Sequence, residues 1–245
     1  MNEELVETIL LPVSGIEAVV REGNGAADKE ILKFNLPHWE FAARYAAKSV
    51  VSLNGKENCT VQDIQALLVP DIEYLLVAIF RVRYGDFLKS NRKCSKCNFP
   101  NSHAKSILPQ SDDNPDGLPY VEPLRWGPNP NDPTVEDVLP RSGKRAVVGM
   151  ITGKKEATIL SAAADAGGID PNLSDMQCLR SLGGVETISY RDVIALPPRD
   201  HERIRGMREE LICGYDPNIT LACQQCGDKE MFNLFMDRRF FLPAG

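Results

Sequence analysis

Short β-like runs and longer stretches of helical spacing alternate along the chain. "AVV" at 18–20 follows a Leu-Pro and a Ser-Gly pair, which predicts a β-rich stretch entered through a tight turn. "DKEILKF" and "HWEFAARYAAKSVVSL" both have helical character, with a break at Pro37, whose ring cannot continue a helix. Residues 70–84 place Ile72, Leu75, Leu76, Ile79 and Phe80 at helical spacing and stop before Gly85. Later, "PRDHERIRGMREELICG" keeps Ile204, Met207, Leu211 and Ile212 on one face of an otherwise charged helix, which predicts a position nearer solvent. "KKEATILSAAADA" predicts a further helix, closed by Gly167 and Gly168. The mixture is that of an α+β protein.

The pattern repeats. At an offset of 128, residues 11–32 meet residues 139–160 with ten of twenty-two positions identical, including both Leu-Pro and both Ser-Gly pairs. Average residue usage gives roughly one or two identities by chance. One inserted residue shifts the offset to 129. Thr60 and Asp63 then meet Ser189 and Asp192, each pair spaced as in a capping box. Asp71 meets Asp200, Gly85 meets Gly214, and Cys94 and Cys97 meet Cys223 and Cys226. The expected architecture is a tandem duplication of one α+β unit, covering 1–108 and 134–245, with an approximate two-fold axis between the copies. Residues 109–133 lie between them and contain seven prolines, which excludes a helix or a central strand there.

Composition narrows the function. The 245 residues are 43% hydrophobic and 25% charged, as in a folded globular protein. The net charge of −6 disfavours general binding to phosphate backbones, so no nucleic-acid partner is expected. No charged-then-apolar leader opens the sequence, and "IEYLLVAIF" is too short to span a bilayer, so neither secretion nor a membrane is expected. Seven cysteines, four of them in two CxxC pairs, fit metal ligation better than a disulfide framework.

"CSKCN" at 94–98 and "CQQCG" at 223–227 have the form of zinc knuckles, in which a tight turn presents two thiolates to one metal. A structural zinc needs four ligands and each knuckle supplies two. The expected ligands are therefore Cys94, Cys97, Cys223 and Cys226, with the two halves meeting at the metal. The competing readings are redox-active CxxC pairs, and His103 in place of one cysteine. Cys59, Cys178 and Cys213 lack partner spacing and receive no role. Asp112, Asp113 and Asp116 read as solvated loop carboxylates. No phosphate-cradling glycine loop, nucleophile elbow or zinc-protease motif occurs, and three histidines at 38, 103 and 201 are too scattered for a catalytic cluster. An enzyme is not expected.

Several passages resemble the T-even-type phage baseplate hub assembly chaperones of contractile-tailed phages. They are "LPVSG", then "EYLLVAIFRVRYGD" running into "CSKC", then "LPRSGKRAVVGMITGKKEATIL" and "GYDPNITLACQQCGDKEMFNLFMDRRFFLP". The resemblance spans nearly the whole chain, although "DFLKSNRK" departs from the plainer strand expected before the first knuckle. It implies a structural or assembly component of a tail baseplate, near the hub. Such a protein acts by protein–protein binding to hub or wedge proteins, and possible self-association. It resides in the host cytoplasm during assembly and in the virion baseplate if retained. The surface expected to bind partners includes Tyr120, Trp126, Phe240 and Phe241. The alternative class is a zinc-ribbon nucleic-acid-binding or transcription-associated module.

Overall fold

A computed structural model describes residues 5–22, 38–123 and 129–234. The segment "DKEILKF", Pro37, Trp126, Phe240 and Phe241 lie outside these residues. The fold is a mixture of helices and antiparallel sheets, in two regions.

In the first region β1 (Val6–Leu10) pairs with β2 (Glu17–Arg21), so that Leu10 faces Glu17 and Val6 faces Arg21. Helix α1 (His38–Ser49) runs into β3 (Val50–Leu53), which adds to β2, and β4 (Lys56–Glu57) closes the sheet. The sequence reading carried the helix through "VVSL". The structure corrects this, because Val50 and Val51 are β-branched residues that favour the pleated, half-buried edge of β2. Helix α2 (Val61–Ala66) starts at Thr60 with the predicted capping box fully formed. Helix α3 (Val69–Tyr84) ends at Gly85, whose φ of 82° favours glycine.

The second region has β8 (Thr134–Val138) and β9 (Arg145–Gly149), where Val138 faces Arg145 and Thr134 faces Gly149. Helices α4 (Gly153–Ala166) and α5 (Pro171–Cys178) precede β10 (Leu179–Leu182), which pairs with β9. Helix α6 (Tyr190–Ile194) starts at Ser189 with the second capping box, and α7 (Pro198–Glu209) follows. Gly167 caps α4 in the left-handed conformation, as its position predicts. The amphipathic pattern around 198–214 holds at Ile204, Met207 and Leu211, which are buried. It fails at Ile212, which is exposed because the helix ends at Glu209.

Each region contains a buried carboxylate that fastens its Ser-Gly turn. Asp71 accepts hydrogen bonds from the backbone N–H groups of Val13 (2.8 Å) and Ser14 (3.1 Å). Asp200 accepts from Arg141 (2.8 Å) and Ser142 (2.9 Å). In both turns a Leu carbonyl, Leu11 or Leu139, accepts from the following glycine, Gly15 or Gly143, at 3.0 Å. The sequence aligned these aspartates without assigning them work. The readable signal was a carboxylate at the start of an apolar helical face, where only buried donors would retain it.

The regions are joined by more than the chain. Val69 N–H donates to Ile151 O and Gly153 N–H donates to Leu67 O, both at 3.0 Å. The apolar cores also interchange residues: Val13 and Leu68 pack in the second core, while Tyr215, Ile219 and Leu234 pack in the first. The proline-rich stretch is folded where it is described. Leu118 is fully buried, and β7 (Tyr120–Val121) pairs with β11 (Gly214–Tyr215), placing the connection against the second region.

Candidate metal centre

Two hairpins build the site. In the first, β5 (Phe87–Lys93) pairs residue for residue with β6 (Pro100–Ser106), so "DFLKSNRK" enters a regular strand despite its polar composition. In the second, β12 (Asn218–Ala222) pairs with β13 (Lys229–Asn233). The turn between each pair of strands is one CxxC knuckle. Cys94 N–H donates to Phe99 O (2.9 Å) and Asn98 N–H to Cys94 O (3.0 Å). The second knuckle repeats this with Cys223 N–H to Asp228 O (2.7 Å) and Gly227 N–H to Cys223 O (2.9 Å). Asn98 and Gly227 both have positive φ, at 60° and 71°, which lets the chain reverse immediately after the second cysteine.

The four Sγ atoms lie within 4.8 Å of one another. Cys94 and Cys226 are 3.7 Å apart, and Cys97 and Cys223 are 3.6 Å apart. A disulfide would need about 2.05 Å, and all seven cysteines are free. Tetrahedral ligation at a metal–sulfur distance of about 2.3 Å separates sulfurs by about 3.8 Å. The donor set therefore fits a thiophilic metal ion. With four thiolates the coordination shell is closed and leaves no position for substrate.

The electrostatics point the same way. The backbone N–H of Cys226, then that of Gln225 and the Asn101 amide, pull the Cys223 thiol down to about 6, against the cost of desolvation. A backbone N–H at Phe99 favours the Cys97 thiolate, but desolvation and the three neighbouring thiols outweigh it and push Cys97 up to about 12. One thiolate forms readily, and further ones are resisted by like charge until a cation balances them.

Surrounding contacts orient the ligands. Asn101, buried, donates from Nδ2 to Cys223 Sγ at 3.6 Å and accepts from Gln224 N–H at 2.9 Å, so a residue of one hairpin holds the knuckle of the other. Lys96 N–H donates to Cys94 Sγ at 3.4 Å. Lys96 Nζ stands 3.6 Å from Asp228, and the Arg92 guanidinium lies 4.1 Å from the Phe232 ring centre. Sequence reasoning missed Asn101, which has no counterpart at the repeat offset, where Glu230 stands.

His103 lies on β6 and is not a member of the thiol cluster. Cys178 and Cys213 are buried and Cys59 is half-buried. Asp112, Asp113 and Asp116 are exposed. Tyr120 is half-buried, its ring edge-on to Tyr215 at 5.0 Å and tilted against Tyr74 at 6.5 Å. The ring thus packs between the two regions. Among the described residues no helix is long and apolar enough to cross a membrane. Comparison with known protein families, curated proteins and solved structures finds no match.

Proposed function

We propose that residues 1–108 and 134–245 are tandem copies of one α+β unit, tied together by one structural zinc at Cys94, Cys97, Cys223 and Cys226. The observation that carries the reading is that two equivalent knuckles each offer half a ligand set. Shared strand registers, capping boxes and aspartate-fastened turns support it at offsets of 128 and 129. Zinc is the metal whose chemistry best fits four thiolates in closed tetrahedral geometry. The protein works by binding, without catalysis. From the resemblance of its sequence, its place is a contractile-tail baseplate, as a structural or assembly component near the hub.

The zinc and baseplate parts have separate tests. Cys94→Ser should abolish stoichiometric metal and open residues 109–133 to protease, since metal binding at such sites is coupled to folding. Retention of full metal by that variant would overturn the ligand assignment. In a phage carrying this gene, a null mutant should assemble heads and replicate DNA but produce tails with incomplete baseplates. Normal infectious particles from the null would contradict the baseplate role.

A further inference from the structure

The two hairpins at the metal centre differ sharply in charge. Residues 87–110 contain Lys89, Arg92, Lys93, Lys96 and Lys105 and no carboxylate, in a chain whose net charge is −6. Residues 217–234 contain one lysine against Asp228 and Glu230. The register of β5 and β6 sorts the first hairpin into two faces. Leu88, Arg92 and Cys94 point inward, while Phe87, Lys89, Asn91 and Lys93 alternate on the outer face, opposite Ser106, Ala104, Ser102 and Pro100. All four outer residues of β5 are exposed, Phe87 by 57%. Among the described residues no carboxylate forms an ion pair with Lys89 or Lys93, whereas Lys96, in the turn, stands 3.6 Å from Asp228 of the second hairpin.

We infer that this outer face binds the phosphate backbone of a single-stranded nucleic acid. Lys89 and Lys93, four residues apart on one face of the strand, supply two point charges about 13 Å apart. Asn91 and Ser102 add neutral hydrogen-bonding groups between them. Phe87 offers a flat apolar surface at one end on which a base can stack, the combination by which sequence-tolerant single-strand binding is built. The metal rigidifies the hairpin, so the row is presented without ordering cost on binding. Net charge concealed this face, because the remainder of the chain is acidic enough to outweigh it. The inference rests on the metal-tied hairpins and is independent of the baseplate assignment.

The test uses the full zinc-loaded chain and a labelled 20-nucleotide oligothymidine, followed by fluorescence polarisation across a salt series. Contacts by Lys89 and Lys93 predict a log–log salt slope of about −1.4 for a single strand. Lys89→Glu with Lys93→Glu should weaken binding at least tenfold while leaving metal content and circular dichroism unchanged. Phe87→Ala should weaken it several-fold without changing the salt slope. Absence of binding at low salt, or unchanged affinity in the double-charge variant, would overturn the inference. Equal binding of poly-glutamate, insensitive to Phe87→Ala, would also overturn it and assign the face to an acidic protein surface.

Discussion

Helices α3 and α7 take equivalent places beside their sheets, yet their chemistry is opposite. At the 129-residue offset Ala46, Ile72, Leu76 and Ile79 correspond to Asp175, His201, Arg205 and Arg208. The first four are buried and apolar. In the second set the buried Asp175 carboxylate meets His201 Nδ1 at 2.9 Å, with Arg205 and Arg208 each at 3.5 Å. Access to water differs between the two helices. Leu76 is fully buried, and α3 is also covered by β11 and by the rings of Tyr215, stacked on Tyr74, and Tyr120, tilted against it, so an ionised group in place of Leu76 would be desolvated at high cost. Helix α7 reaches water at Glu202, Arg205 and Glu209. Two similarly placed helices thus carry an apolar cluster and an ion network. The features common to both regions are the register, the turn-fastening aspartate and the knuckle.

Removing the metal should have the largest effect. Apparent free energies for structural zinc in small domains are about 10–16 kcal/mol, so chelation at neutral pH should separate the hairpins and lower the melting temperature by tens of degrees. Cys94→Ser and Cys223→Ser should do so equally, even though backbone hydrogen bonds hold the Cys223 thiol down in pKa. Calorimetry with and without chelator checks this, and a strongly unequal pair would break the equivalence of the two regions.

The ion network comes next. Asp175→Ala should destabilise by about 1–3 kcal/mol, because it removes the buried acceptor on which His201, Arg205 and Arg208 converge. Transferring the first region's residues together (Asp175→Ala, His201→Ile, Arg205→Leu, Arg208→Ile) should be neutral or stabilising, by up to about 4 kcal/mol. Urea denaturation of the single and quadruple variants decides whether the scaffold accepts both chemistries.

The turn-fastening aspartates should respond to pH with opposite sign. Burial pushes Asp71 up despite the N–H groups of Val13 and Ser14. At Asp200 burial is outweighed by the Ser142 hydroxyl, the N–H groups of Arg141 and Ser142 and the nearby His201, so its pKa is held down. A depressed carboxylate contributes stability above its unfolded value of about 3.9 and loses it as pH falls through the folded value. A raised one contributes below that value and loses it as pH rises through its own. Each Asp→Asn change should cost about 1–3 kcal/mol. The penalty for Asp200→Asn should shrink between pH 7 and pH 3, and that for Asp71→Asn should grow, in denaturation series at the two pH values.

A smaller effect separates the paired glycines. Gly85 and Gly214 have similar φ, 82° and 89°, but a Cβ at Gly85 meets open space, whereas one at Gly214 stands 3.1 Å from Pro70 Cβ. Gly85→Ala should cost about 1 kcal/mol of backbone strain. Gly214→Ala should cost more by the displacement of Pro70, measurable as a lower urea midpoint.

Much of this was legible in the sequence, where the matching passages put similar residues side by side. The capping boxes, the knuckles and the glycine closing α3 depend on local chemistry that a few adjacent residues specify. Features set by distant contacts were not legible. "VVSL" became a strand because β2 offered an open edge, and Ile212 emerged because α7 stopped early. Asn101 was invisible because its partner, Cys223, is 122 residues away. The basic outer face of β5 appeared only once its register separated Lys89 and Lys93 from the inward residues.

Native mass spectrometry of the intact chain tests most directly that the two regions close one metal site between them. One zinc per chain is expected, with a mass showing loss of thiol protons and no metal retained when either Cys94 or Cys223 is replaced by serine. A metal-free chain with four free thiols, or metal retained by one knuckle after the other is removed, would contradict it.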